Sequence, residues 1–137
     1  MTRKRILVFS PDVDVASSLT LLLADRFEVA CESNLERMKA RLADWKPALV
    51  LADVHPLPQD IVKLVDILKT KPRGTFVLLL HVFRNWAPTI EAAIRSAADF
   101  VFYKPVNVEV IATLITDLLN GHQTLEQINE TLSVPER

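Results

Sequence analysis

The sequence predicts an α/β domain built as a doubly wound, five-stranded parallel sheet. Short apolar runs alternate along the chain with segments whose apolar residues recur at the helical period. The runs expected to form the first, third and fourth strands are apolar at every position, which is typical of strands covered on both faces by helices. With 137 residues, half of them hydrophobic, the chain is long enough for one domain with a substantial core.

The strands are expected at residues 6–9, 27–31, 48–52, 76–80 and 100–103. A helix should follow the first strand, and its apolar face consists of Val15, Ala16, Leu19, Leu22 and Leu23. The second helix is expected to begin at a capping box made by Ser33 and Glu36 and to continue through Trp45. Pro47 then stops it, because proline cannot continue a helix.

Three further helices complete the alternation. The third is expected over residues 60–69, with an apolar face of Ile61, Leu64, Val65 and Leu68. Asn85 is expected to cap a fourth helix that ends at Ala97, and Asn107 a fifth that ends at Gly121. Residues 1–121 are therefore predicted to form the domain, and residues 122–137 a polar tail or the start of a linker.

Composition excludes several classes of protein. Sixteen basic residues face 17 acidic ones, which gives no overall field to attract nucleic acid or an anionic membrane. The cluster of Arg3, Lys4 and Arg5 is interpreted as a solvated lead-in to the first strand, with a basic arm for nucleic acid as the alternative.

No apolar run reaches the roughly 18 residues of a membrane helix, and no signal peptide is recognisable, so a cytoplasmic location is expected. Cys31 is the single cysteine, which excludes an internal disulfide.

Glycine usage argues against nucleotide cofactors. Dinucleotide, flavin and P-loop sites need glycine-rich turns, because backbone amides must approach phosphate closely. The chain has two glycines, Gly74 and Gly121, and neither follows the first strand.

The residues that follow the strands are the candidates for function, since ligands of doubly wound sheets bind at the carboxyl ends of the strands. An acid after the central strand that faces a lysine after the last strand is the strongest signal among them. The residues are Ser10, Pro11 and Asp12 after the first strand, Asp53 after the third, His81 after the fourth, and Lys104 and Pro105 after the fifth.

Two stretches resemble the CheY-like receiver domains of two-component response regulators. They are "PALVLADVHPLPQD", residues 47–60, and "AADFVFYKP", residues 97–105, and the spacing agrees from Arg5 to about Gly121. The resemblance implies a flavodoxin-like sheet of strand order 2-1-3-4-5. It also implies that Asp53 is the phosphoacceptor, that Lys104 contacts the phosphoryl group, and that the bond between Lys104 and Pro105 is cis.

The sequence departs from the family pattern where the chemistry is done. Two acids directly follow the first strand in the family and hold Mg²⁺, whereas Ser10 and Pro11 stand there in this chain. Asp12 comes one residue late, so Asp53 and Asp12 are the candidate Mg²⁺ ligands, and weak or absent Mg²⁺ binding is predicted. A transition-metal site made by His55, His81 and Asp53 is a further alternative. His81 replaces the family's Thr or Ser, and Val101 replaces its switch aromatic.

These departures favour an atypical receiver, or pseudo-receiver, that acts in phosphorelay signal transduction as a largely phosphorylation-independent interaction module and not as an enzyme. The resemblance implies a histidine kinase or a downstream effector as partner, or a homodimer through the fourth helix, fifth strand and fifth helix. Neither nucleic acid nor membrane is expected to bind.

The alternative to a phosphorylation-independent module is a receiver with a functional phosphoacceptor at Asp53. A haloacid-dehalogenase-like phosphatase is weaker, because two residues separate the first strand from the D-x-D of Asp12 and Asp14.

Overall fold

The computed structural model describes residues 3–10, 13–53, 58–81, 88–103 and 107–120. The described strands form one parallel sheet of five, in the order β2-β1-β3-β4-β5, as predicted. The strands are β1 (Arg5–Phe9), β2 (Glu28–Glu32), β3 (Leu49–Asp53), β4 (Phe76–His81) and β5 (Phe100–Tyr103). The helices are α1 (Val13–Leu23), α2 (Leu35–Trp45), α3 (Pro58–Leu68), α4 (Pro88–Ala97) and α5 (Val108–Asn120).

The sheet separates two hydrophobic cores, as the apolar strand runs predict. Because successive strand residues point to opposite faces, Ile6 and Val8 of β1 enter one core, and Leu7 and Phe9 enter the other. The first core is closed by α1 and α5, and the second by α2, α3 and α4. Within the described ranges no helix is both long and apolar enough to cross a membrane.

The strand ends differ from the prediction in a way that matters for the site. Backbone pairing extends β3 to Asp53, opposite Leu80 of β4, and extends β4 to His81, opposite Tyr103 of β5. Asp53 and His81 are therefore the last residues of their strands and not loop residues. Their backbones are fixed by the sheet ladder, which holds both side chains more rigidly than a loop would.

Two predictions about helices are wrong, and one is confirmed. The N-cap of α2 is Asn34 and not Ser33: its Oδ1 accepts from the backbone amides of Glu36 and Arg37, so the helix begins one residue later. Leu22 of α1 is 41% exposed, because it lies at the margin of the apolar face. Asn107 caps α5 as predicted, whereas Asn85 lies outside the described residues.

The basic residues before and at the start of β1 have a structural role that the sequence analysis missed. All three side chains donate to a backbone carbonyl at the carboxyl end of a helix, where carbonyls lack helical partners and the helix dipole is negative. The contacts are Arg3 Nη1 to Ala24 O after α1 at 2.8 Å, Lys4 Nζ to Leu119 O of α5, and Arg5 Nη1 to Trp45 O of α2 at 2.8 Å. The exposure of Arg3 and Lys4 agrees with the predicted solvated lead-in, and the helix-end contacts add a structural role to it.

Arg5 makes the richest of these contacts, and its removal should destabilise the domain. Its guanidinium carbon also lies 5.4 Å from the centre of the Trp45 ring, and its Nε lies 3.4 Å from Oε1 of Glu28. We expect Arg5→Ala to lower the free energy of unfolding by about 1–2 kcal/mol, from one hydrogen bond and one cation–π contact. Urea denaturation measures this change.

The matched control is Arg37→Ala, which removes an exposed arginine of α2 and should change stability by less than about 0.5 kcal/mol. Equal losses in the two variants would contradict the helix-end role of Arg5.

Candidate functional site

The carboxyl ends of β1, β3 and β4 bring three of the predicted site residues to one edge of the sheet. Ser10 directly follows β1, Asp53 ends β3, and His81 ends β4. Since the strands are parallel and neighbouring β1–β3 and β3–β4 pairs are in register, these residues share the edge at which ligands of this architecture bind. All three side chains are buried, which separates them from ordinary loop polar residues.

The Asp53 carboxylate is held by the hydroxyl of Ser10. Ser10 Oγ donates to Asp53 Oδ2 at 3.0 Å, and each residue is only 4% exposed. The backbone amide of Ser10 donates to the carbonyl of Glu32 at 3.1 Å, which fixes the serine beside the end of β2. A buried carboxylate needs hydrogen-bond donors, and Ser10 supplies one of them without adding charge. Ser10 is thus more than a missing acid: it is a neutral partner of Asp53.

The structure describes only one of the two candidate magnesium ligands, Asp53. Mg²⁺ requires octahedral oxygen ligands and is usually bound through carboxylates. In the part of the chain that the structure describes, no group of three or more His, Cys, Asp or Glu side chains is placed to hold a metal ion. The backbone carbonyl of Glu32 contacts Ser10, whereas its side-chain carboxylate accepts hydrogen bonds from Arg41. Oε2 of Glu32 lies 2.9 Å from Nη2 of Arg41 and 3.1 Å from its Nε. Asp12 lies outside the described residues, so its role as a metal ligand stays a prediction.

His81 is bound to α4. The residue is 1% exposed, and its Nε2 lies 2.9 Å from Oε2 of Glu91, whose side chain is 21% exposed. The imidazole centre lies 5.6 Å from the centre of the Tyr103 ring, with the two planes tilted by 45°. A threonine or serine hydroxyl lies one bond from Cβ and could not reach Glu91 in this arrangement. The histidine therefore connects β4 to α4 in a way that the usual family residue would not.

A second pair connects α4 to β5. Arg95 Nη2 donates to the hydroxyl of Tyr103, and the Arg95 guanidinium carbon lies 5.7 Å from the centre of the Tyr103 ring. Glu91 and Arg95 are four residues apart and so lie on the same face of α4. The sequence analysis missed Glu91, Arg95 and Tyr103. Their only sequence signal is the four-residue spacing of opposite charges on a predicted helix, which by itself indicates only a surface pair.

The structure describes only some of the remaining predicted site residues. Lys104 and Pro105 lie outside the described residues, so the contact of Lys104 with a phosphoryl group and the cis bond stay predictions. Val101 is half-buried in β5 at the position of the family's switch aromatic. The aromatic residue that contacts His81 is Tyr103, two positions further along the strand.

Comparisons with known proteins give structural neighbours only. No family model matches the sequence, and no curated protein matches it. A CheY-like response regulator receiver domain from Methanospirillum hungatei superimposes with a TM-score of 0.72 at 22% identity, covering 92% of this chain and 98% of that one. The signal receiver domain of a signal transduction histidine kinase from Syntrophus aciditrophicus gives a TM-score of 0.70 at 25% identity, over 86% and 91% of the two chains.

A two-component response regulator from Clostridium difficile is also similar, with a TM-score of 0.66 at 16% identity, covering 89% of this chain and all (100%) of that one. Each of these solved chains is covered over at least nine-tenths of its length, so the likeness extends over the whole receiver architecture. Together with the strand order and the position of Asp53, it leads to one conclusion. The chain has the fold of the CheY-like receiver domains of response regulators.

Proposed function

We propose that this chain is an atypical receiver domain that acts in phosphorelay signal transduction mainly as an interaction module, with weak or absent Mg²⁺-dependent phosphoacceptor chemistry. One observation carries the proposal: the hydroxyl of Ser10, which stands where the family has an acid, lies 3.0 Å from the buried Asp53 carboxylate. The neighbours with this fold are receiver domains of signalling proteins, which supports the same class of function.

The chemistry of phosphoryl transfer explains why the substitution matters. A carboxylate that attacks phosphorus needs positive charge to neutralise the transferring oxygens, and receivers supply it with a metal ion and a lysine. Ser10 offers a hydroxyl where a charged metal ligand is needed, and Asp53 is its acceptor. The imidazole of His81, which stands in place of a phosphoryl-binding hydroxyl, is bound to Glu91. Each change removes a contact on which the transfer step depends.

A functional phosphoacceptor at Asp53 is the second candidate. It is favoured by the place of Asp53, the last residue of the central strand at the ligand-binding edge of the sheet. In this reading Lys104 alone supplies the positive charge, and labelling of Asp53 proceeds slowly without Mg²⁺.

For partners, we propose a histidine kinase or a downstream effector, or a second copy of the chain, bound through α4, β5 and α5. On this surface Val110 of α5 is 50% exposed and Arg95 of α4 is exposed. The α5 residues that line the cleft between α1 and α5 include Ala112 and Thr116. Val110 does not line this cleft, so we assign it to the proposed interaction surface. Apolar side chains and arginines are both common at interface centres.

Metal binding gives the first test of the weakened chemistry. With Ser10 beside Asp53, titration of the domain with Mg²⁺ should show no saturable binding at millimolar concentrations, because too few oxygen ligands are available. Calorimetry, or the fluorescence of Trp45 and Trp86, measures the binding. A saturable millimolar isotherm that disappears in Asp53→Asn would contradict the proposal.

Restoring the acids gives the second test. Ser10→Asp with Pro11→Asp places carboxylates beside Asp53, so the double variant should melt at a lower temperature than the wild type without Mg²⁺, and Mg²⁺ should raise its melting temperature. Labelling of Asp53 by a small phosphodonor should also increase.

Ser10→Ala is the matched control, since it removes the hydroxyl without adding charge and should gain neither property. A double variant that binds Mg²⁺ but shows no gain in labelling would contradict the role given to the missing acids and would assign the block to His81, for which His81→Thr is the next variant.

The interaction surface is tested by a matched pair of valines. Val110→Glu on α5 should weaken self-association or capture of a partner kinase at least about tenfold, the effect of losing a modest interface hot spot. Val62→Glu on α3, where the valine is 53% exposed, should leave association unchanged. Sedimentation at several concentrations measures self-association, and a melting curve of each variant checks folding. Equal effects of the two variants would rule out this surface.

A further inference from the structure

Four side chains form a cluster that we call the α4 clamp: His81, Glu91, Arg95 and Tyr103. His81 and Tyr103 are register partners at the ends of β4 and β5, and their rings lie 5.6 Å apart. Glu91 and Arg95 lie one helical turn apart on α4, and each bonds to one of the two strand residues. The clamp therefore ties one face of α4 to two neighbouring strands at once.

The two halves of the clamp differ in strength. The bond from His81 to Glu91 is the stronger, because the imidazole is 1% exposed and little water competes for it, while its partner carboxylate is 21% exposed. Loss of Glu91 would deprive a buried imidazole nitrogen of its acceptor, which is costly. The bond from Arg95 to Tyr103 is exposed and contributes less, although the guanidinium also contacts the aromatic face.

The position of the clamp suggests what it controls. His81 ends the strand next to β3, which ends at Asp53, so the clamp links the Asp53 edge of the sheet to α4. A threonine or serine at this position would be too short to bond to Glu91, so its movement would break no bond of this kind. Here a movement of His81 would break its bond to Glu91 and separate two aromatic rings, which makes the movement costly.

We infer that the α4 clamp holds α4 and the end of β5 in a single arrangement that does not depend on the covalent state of Asp53. The surface formed by α4 and β5 is then presented permanently and not on phosphorylation. This inference rests on the proposed function and deepens it, since it identifies the residues that make the interaction surface constitutive. It is tested independently of the loss of acceptor chemistry.

Hydrogen–deuterium exchange of the full chain, read by mass spectrometry of α4 and α5 peptides, tests the clamp. Glu91→Ala should speed exchange of the α4 amides about tenfold or more, the effect expected when a charge-assisted hydrogen bond is lost. The α5 peptides should keep their wild-type rates. Arg95→Ala should give a smaller increase in the same peptides.

Glu109→Ala is the matched control, because Glu109 is the first-turn acid of α5 as Glu91 is that of α4. It removes the same favourable contact with a helix dipole and should leave α4 exchange unchanged. Asp53→Asn should also leave it unchanged, since the clamp does not involve Asp53. Wild-type exchange of α4 in Glu91→Ala, or equal acceleration of all peptides, would overturn the inference.

The same measurement on a sample treated with a small phosphodonor separates the two proposals. Labelled Asp53 with unchanged α4 exchange would support the clamp and overturn the loss of acceptor chemistry. Labelled Asp53 with altered α4 exchange would overturn the clamp. If Asp53 is not labelled, the Glu91→Ala result alone decides for or against the clamp.

Discussion

A carboxylate buried at the end of a strand covered on both faces is the constraint on which this site depends. Asp53 is 4% exposed, and the apolar residues of β3 leave it no route to bulk water through the sheet. Such a group must be satisfied by donors or by cations at the strand ends. In this chain one of the donors is the hydroxyl of Ser10 at 3.0 Å. A neutral partner adds no negative charge beside Asp53, and under the proposed function its lack of a carboxylate is what weakens Mg²⁺ binding.

His81 extends the same pattern across the sheet edge. The polar residues that end the inner strands β3 and β4 each have a protein partner: Ser10 for Asp53 and Glu91 for His81. A buried hydrogen bond resists movement, because separating its partners leaves a donor or an acceptor unpaired. Under the proposed function, these bonds stabilise one conformation, so that the domain offers a constant surface to its partners.

Much of the fold could be predicted because it follows from local patterns. Apolar runs identify covered strands, and Asn107 caps α5 through a contact within its own first turn. Prediction failed where neighbouring residues compete for one role, as Ser33 and Asn34 do for the cap of α2. It failed again where the contact is tertiary: Glu91 lies ten positions from His81 in the chain, and only the packing of α4 on β4 brings them together. Ser10 was recognised as an absent acid, but its hydrogen bond to Asp53 spans 43 positions and required the sheet register.

The most direct test of the central claim is the intact mass of the wild-type domain after incubation with a small phosphodonor, with and without Mg²⁺, beside Asp53→Asn. Weakened acceptor chemistry predicts that the wild type keeps its unmodified mass under both conditions and matches the variant in the extent of labelling. A gain of one phosphoryl group in the wild type, with or without Mg²⁺ and absent from Asp53→Asn, would contradict the claim and would identify the domain as a functional phosphoacceptor.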